Sequence, residues 1–208
     1  MPTNEQIYEL RTRLTQMIIE NWRGENFLTW QWWLLLAILV IPWVIWWAVV
    51  DKRRTYQLLT FGFMVSIVTS LIDVVGLELG LYLYQVKLVP FAPRLLPYVL
   101  GMLPVIYMLL YQRFPRWRPF TVALLAASAA LAFIFQPIMK AIGMYELIRW
   151  SYVYSFLIYV SVGLVLKWVT EKFPGSEAAI EKIEERPFLH IQQPAATKPL
   201  IKDEDDHE

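Results

Sequence analysis

One acidic residue lies inside a long apolar stretch of the sequence and is the first candidate for chemistry. Asp73 is located late in the stretch 55–79, where Ser66, Gly76 and Gly80 share its face at helical spacing. An Asp near the bilayer centre costs about +2.5–3.5 kcal/mol on insertion scales, so this face must point towards protein. Asp73 is therefore either a ligand, proton or substrate group, or a structural carboxylate bonded to a Tyr or Arg.

A second polar group, Gln136, directly precedes Pro137 near the end of a later apolar stretch. Proline lacks a backbone donor and frees an upstream carbonyl, which the Gln136 side chain or a water could satisfy. This position favours a structural role for Gln136 over a catalytic one.

Further polar and aromatic residues gather at one membrane face. Successive spanning helices run in opposite directions, so the ends of the second and fourth helices and the start of the fifth meet there. A polar cluster at one end of a small bundle predicts a binding site, although Arg and Tyr residues also serve as interfacial anchors. The cluster contains Tyr82 and the candidate ligand-binding residues Asp73, Glu78, Tyr84, Gln136, Glu146, Arg149, Tyr152 and Tyr154.

Several common chemistries are excluded by residue type. The chain has no cysteine, and its two histidines, His190 and His207, lie in the C-terminal tail. A His- or Cys-ligated metal in the bundle is therefore excluded, and no P-loop or dinucleotide-binding motif is present. We expect no metal and no cofactor. A net charge of +1 over 208 residues argues against nucleic acid as a partner.

The elements that position these residues are predicted to be transmembrane helices. Hydrophobic residues make up 57% of the chain and charged residues 18%, both shifted from soluble proteins towards a lipid environment. About 20 mostly apolar residues are needed to cross a bilayer. The sequence therefore predicts an all-α integral membrane bundle of about five transmembrane helices. The five stretches are 27–50, 55–79, 95–111, 120–138 and 152–169.

The two ends of the chain differ from this transmembrane domain, which covers residues 27–170. In residues 1–26, Ile7, Leu10 and Leu14 recur at helical spacing among charged residues, which predicts an N-terminal amphipathic helix. Such a helix can lie in the membrane interface, or alternatively against a soluble partner or the protein's own loops. Residues 171–208 are polar and proline-containing, which predicts a mostly disordered cytoplasmic tail.

Orientation follows from the Lys and Arg residues of the short loops. Basic residues are concentrated in 51–54, in 113–118 and around Lys167 and Lys172, with fewer in the loops on the other side. Cytoplasmic loops carry the excess of positive charge. We therefore expect a multi-pass protein of the bacterial cell membrane, with its N-terminus outside and its C-terminus in the cytoplasm.

Two segments carry a resemblance to a known family. DVVGLELGLYLYQVKLVPFAPRLLPYVLGMLPVIYMLLYQ and FIFQPIMKAIGMYELIRWSYVYSFLIYV resemble an uncharacterised family of small integral membrane proteins that is common in endospore-forming Gram-positive bacteria. The resemblance covers about residues 27–170 and implies an architecture and a lineage. It rests on Asp73, Gly76, Gly80, Tyr84, Pro90, Pro104, Pro137, Tyr145, Trp150 and Tyr154.

A weaker likeness is to membrane carotenoid-biosynthesis and lycopene-cyclase-type domains. Those domains often hold a Glu beside a Pro, where this chain has Gln136 and Pro137. The likeness implies an isoprenoid- or lipid-modifying enzyme in which Asp73 and Glu78 supply acid chemistry and aromatic rings stabilise a carbocation.

Three functional hypotheses follow. The first is a protein that binds a lipid headgroup, a small ligand or a partner through the polar cluster. The second is the isoprenoid- or lipid-modifying enzyme, and the third is a small transporter or transporter subunit, although no internal repeat is seen. The partners expected are membrane lipid and either another membrane protein or a second copy of this chain, and no nucleic acid.

Overall fold

The computed structural model describes residues 3–90 and 96–172. These residues are mostly helical, because a backbone in lipid must satisfy its hydrogen bonds within each segment. The α-helices are α1 (Asn4–Asn21), α2 (Trp30–Val49), α3 (Thr55–Glu78), α4 (Leu103–Arg113), α5 (Trp117–Ala130), α6 (Gln136–Ala141) and α7 (Tyr152–Lys172), with two strands, β1 (Tyr82–Tyr84) and β2 (Tyr145–Leu147).

The predicted all-α membrane bundle is confirmed. Four helical segments of the described residues are long and apolar enough to cross a membrane, as expected of a multi-pass membrane protein. The predicted span 95–111 differs, because its described helix consists of a π-helical turn, Tyr98–Met102, and the 11-residue α4. The four long segments are Trp30–Val49, Lys52–Glu78, Trp117–Ala141 and Tyr152–Lys172.

The shorter α4 continues the alternation of helix direction along the chain. The Gln57 amide at the start of α3 donates a hydrogen bond to the Tyr111 hydroxyl at the end of α4, so these two helices are antiparallel. The Gln112 amide bonds the Val49 carbonyl at the end of α2, so α2 and α4 end together. The described helices α2 to α7 therefore run through the bundle in five alternating segments, four of which are long enough to cross a membrane. Its main apolar core includes Trp46, Phe61, Leu103, Tyr107, Phe120 and Leu124.

The passes bring the basic segments 51–54, 113–118 and 167–172 to one end, which we call the basic end. Lys167 is fully buried there. Its ammonium donates to the Pro115 carbonyl at 2.9 Å and pairs with Glu171 at 2.6 Å. A buried charge is tolerated only with such partners, so Lys167 joins α7 to the loop that precedes α5.

The N-terminal helix has the predicted amphipathic pattern but packs little against the bundle. It is capped by Thr3, whose hydroxyl accepts a hydrogen bond from the Gln6 backbone, and it contains no buried residue. Its connection to the bundle is the Trp22 indole, which donates to the Lys87 carbonyl at 3.0 Å. Its location in the membrane interface remains a prediction. The predicted tail, apart from the end of α7, lies outside the described residues.

Candidate functional site

Two connecting segments fold together over the end of the bundle opposite the basic end. β1 follows α3, β2 follows α6, and they form an antiparallel ribbon with Tyr84 opposite Tyr145. Each strand follows a glycine with a positive φ, 65° at Gly80 and 74° at Gly143, where a residue with a Cβ would be strained. The ribbon was not predicted, and it brings tyrosines from distant parts of the sequence to one place.

A cavity of about 70 Å³ lies beneath this ribbon, and we call it the polar cavity. Helices α3, α6 and α7 supply Asp73, Gln136 and Tyr159 to its lining, and the ribbon supplies Tyr84 and Tyr145. Its walls thus combine amide, carboxylate and hydroxyl groups with aromatic rings.

Only one oxygen of the Asp73 carboxylate is held by the protein. Oδ1 accepts hydrogen bonds from the Tyr84 hydroxyl at 2.8 Å and from the Tyr82 hydroxyl at 3.2 Å. Gly76 permits this arrangement, since a Cβ at that position would collide with the Tyr82 hydroxyl. Oδ2 is buried and has no hydrogen-bond partner among the described residues.

Three further buried polar atoms in the cavity lining lack partners within the described part of the chain. They are Oε1 of Gln136 and the hydroxyls of Tyr98 and Tyr145. The Gln136 Nε2 donates to the Tyr159 hydroxyl at 2.8 Å. Gln136 therefore links α6 to α7 through its side chain. An unpaired buried polar group costs about 1–3 kcal/mol, so four in one cavity need an explanation.

The electrostatics of the site are set by Asp73. Burial, followed by the neighbouring Asp73 carboxylate, raises the pKa of both Tyr82 and Tyr84, so each stays a hydroxyl donor at neutral pH. Burial also raises the pKa of Tyr145. No Lys, Arg or His side chain from residues 3–90 or 96–172 lines the cavity. Within these two ranges, the carboxylate therefore has no cationic partner in the cavity wall.

The structure gathers some of the predicted site residues and leaves others apart. Asp73, Tyr84 and Gln136 line the polar cavity together. Tyr152 is half-buried and does not line the cavity. Four other predicted residues are exposed on the surface of the bundle and do not line the cavity either. Their roles in binding remain predictions. The exposed four are Glu78, Glu146, Arg149 and Tyr154.

Several cavity residues were absent from the predicted set. Trp150 donates from its indole to the Ser155 hydroxyl at 2.9 Å, and both residues line the cavity with Tyr98, Tyr145 and Tyr159. Two of these residues, Ser155 and Tyr159, could have been identified from the sequence, because residues four positions apart lie on one face of a helix.

A second cavity, of about 60 Å³, adjoins the first, and we call it the apolar cavity. The two cavities share four lining residues, and the remaining walls of the second are hydrocarbon, aromatic or thioether groups. The shared residues are Tyr84, Tyr98, Gln136 and Tyr145, and the others are Leu35, Ile38, Val86, Phe135, Met139 and Met144.

Comparison with known proteins gives no relative from which a function could be inferred: no protein-family model, curated protein or solved structure matches this chain.

Proposed function

We propose that this protein is a membrane receptor or binding protein whose polar cavity holds the ammonium group of a ligand. The observation that carries the proposal is the set of four unpartnered, buried polar atoms in one small cavity: Asp73 Oδ2, Gln136 Oε1 and the hydroxyls of Tyr98 and Tyr145. Buried polar groups are normally hydrogen-bonded. A bound ligand would supply the missing partners.

A primary ammonium fits this set in kind. It has three N–H donors and no acceptor, as the lysine ammonium does. Ionised Asp73 and the Gln136 carbonyl oxygen accept hydrogen bonds, and the hydroxyl oxygens of Tyr98 and Tyr145 can accept them too. The three donors thus find acceptors among the four free atoms.

The charge and size of the cavity favour the same group. A buried carboxylate without a cation is costly, and an ammonium would neutralise Asp73. Aromatic rings such as those of Trp150 and Tyr159 in the lining also attract cations. A volume of about 70 Å³ is about half that of a cavity of about 150 Å³ that binds benzene. Only the head of a larger ligand would enter.

Binding is favoured over isoprenoid chemistry by the position of Glu78. That hypothesis needs a second acid beside Asp73, and the Glu78 side chain is exposed and absent from the cavity lining. Among the described residues, Asp73 is the one carboxylate in the lining, which suits electrostatic recognition of a cation.

The proposal places the cavity at the outer face of a bacterial cell membrane. The collection of 51–54, 113–118 and 167–172 at one end of the bundle supports a cytoplasmic basic end. With five passes, the N-terminus is then outside and the C-terminus in the cytoplasm. Membership of the endospore-former family, which the resemblance implies, is part of the same proposal.

Calorimetric titration with methylammonium tests the proposal, with the full chain in phosphatidylcholine nanodiscs. We expect saturable binding that Asp73→Asn weakens at least about tenfold, the equivalent of about 1.4 kcal/mol. Asn keeps the acceptor for Tyr84 but replaces Oδ2 with a donor. Glu78→Gln removes an exposed acid from the same helix and is the matched control. Equal binding by wild type and Asp73→Asn, or no binding by either, would refute the proposal.

A further inference from the structure

We infer that the ligand is an amphiphile, with its ammonium head in the polar cavity and a hydrocarbon chain in the apolar cavity. This inference rests on the proposed function and extends it, because it assigns a ligand class and a second subsite. The apolar cavity would otherwise have no role in binding an ammonium group.

The first argument is the shared wall between the cavities. Tyr84, Tyr98, Gln136 and Tyr145 contribute to the lining of both. Three of the four unpartnered polar atoms, on Tyr98, Gln136 and Tyr145, thus belong to residues at the boundary. An ammonium bonded to these atoms has its carbon substituent beside the apolar cavity.

The second argument is the chemistry of the apolar cavity. Leu35, Val86 and Met144 belong to a small apolar cluster that is separate from the main core of the bundle. Empty cavities with apolar walls stay dry and take up apolar ligands. Methionine side chains such as Met139 and Met144 adapt to irregular shapes, which suits a flexible chain.

The third argument is the position of the apolar cavity beside lipid. Two of its lining residues, Ile38 on α2 and Met139 on α6, are half-buried. Neighbouring residues on the same helices face outward, with Val40 46% and Ile138 50% exposed. In a membrane this surface contacts acyl chains. An amphiphile could therefore enter sideways, with its chain remaining in hydrocarbon throughout.

An n-alkylammonium series tests the inference on the full chain in phosphatidylcholine nanodiscs. We expect affinity to rise about fourfold per methylene for the first few carbons beyond methylammonium, because burying one CH₂ is worth about 0.8 kcal/mol. Alcohols of the same chain lengths, which lack the charge, should bind much more weakly. Empty nanodiscs correct for partition into lipid.

Val86→Phe, which fills the apolar cavity, should remove most of the gain with chain length. Val122→Phe is the matched control, because Val122 is 68% exposed on α5 and lines neither cavity. If Val86→Phe is not monodisperse, Met139→Trp is used in its place, because Met139 lines the same cavity and is only half-buried.

The outcomes separate the two proposals. Methylammonium binding without any gain along the series, or a gain that Val86→Phe leaves intact, overturns the amphiphile inference and leaves the proposed function standing. Absence of methylammonium binding overturns the proposed function. Replacing part of the nanodisc lipid with phosphatidylethanolamine identifies the source of the ligand's ammonium group. If phosphatidylethanolamine weakens the binding of octylammonium, the natural ligand is a lipid headgroup. If octylammonium binding is unchanged, the ligand is a free amphiphilic amine.

Discussion

The Tyr84 hydroxyl donates a 2.8 Å hydrogen bond to Oδ1 of Asp73, while Oδ2 of the same carboxylate has no partner among the described residues. One half of the carboxylate is therefore fixed by the protein and the other half is available. The bond also joins the β1–β2 ribbon to α3. The ribbon that covers the cavity and the carboxylate in its lining therefore depend on each other.

Tyr84→Phe should destabilise the fold and weaken methylammonium binding. A hydrogen bond to a charged group is worth about 1.5–3 kcal/mol, and this substitution removes the donor while keeping the ring. Thermal unfolding in mild detergent and calorimetry measure the two effects. Tyr56→Phe is the control, because Tyr56 is 88% exposed. Equal behaviour of the two variants would show that the Tyr84 hydroxyl does not hold Asp73.

The sequence predicted the helices and part of the site for clear physical reasons. Asp73 and Gln136 are identifiable because polar groups in long apolar stretches are costly, and alternating helix directions place them at one end. The ribbon was not predictable, because Tyr82–Tyr84 and Tyr145–Leu147 are three-residue strands distant in sequence. Such short strands have no measurable periodicity, and their tyrosines are hard to tell from interfacial anchors.

The span 95–111 shows a second limit of prediction. Its hydrophobicity indicated a crossing helix, but the chain divides there into a π-helical turn and α4, with Pro104 in the first turn of α4. Proline lacks the backbone donor that a continuous α-helix requires at that point. Composition alone therefore indicated that a helix passes here but not how it is built.

Gly101→Ala should destabilise the bundle by about 1–3 kcal/mol, the usual cost of overpacking. A Cβ at Gly101 would lie 2.6 Å from the Ile38 carbonyl oxygen and 2.7 Å from the Leu39 Cα, and backbone atoms cannot move aside as a side chain can. Thermal unfolding of detergent-solubilised protein measures the effect. Gly24→Ala is the control, because nothing lies within 4 Å of its added Cβ. An unchanged unfolding temperature for Gly101→Ala would argue against the close approach of α2 to residues 98–102.

Lys167→Met should reduce stability while leaving the polar cavity able to bind. The substitution removes the ammonium that donates to the Pro115 carbonyl at 2.9 Å and pairs with Glu171, and a hydrogen bond to a charged group is worth about 1.5–3 kcal/mol. Unfolding and methylammonium titration are compared in the same preparation. Lys172→Met, on the exposed end of α7, is the control. If Lys167→Met lost methylammonium binding but kept its stability, the basic end and the polar cavity would not be independent.

Deletion of residues 1–21 should leave the bundle inserted and folded. No residue of α1 is buried, and the deletion keeps the Trp22 indole that bonds the Lys87 carbonyl at 3.0 Å. Membrane fractionation and size-exclusion chromatography of the truncated protein check this expectation. A protein that is degraded or remains outside the membrane would show that α1 is needed for assembly.

The most direct test of the central claim is mass spectrometry of small molecules that co-purify in mild detergent, with wild type beside Asp73→Asn. The account predicts a specific amine-bearing compound that wild type retains and Asp73→Asn loses, while both proteins remain monodisperse. Bulk membrane lipid alone in both preparations, or the same amine retained equally by both, would contradict it.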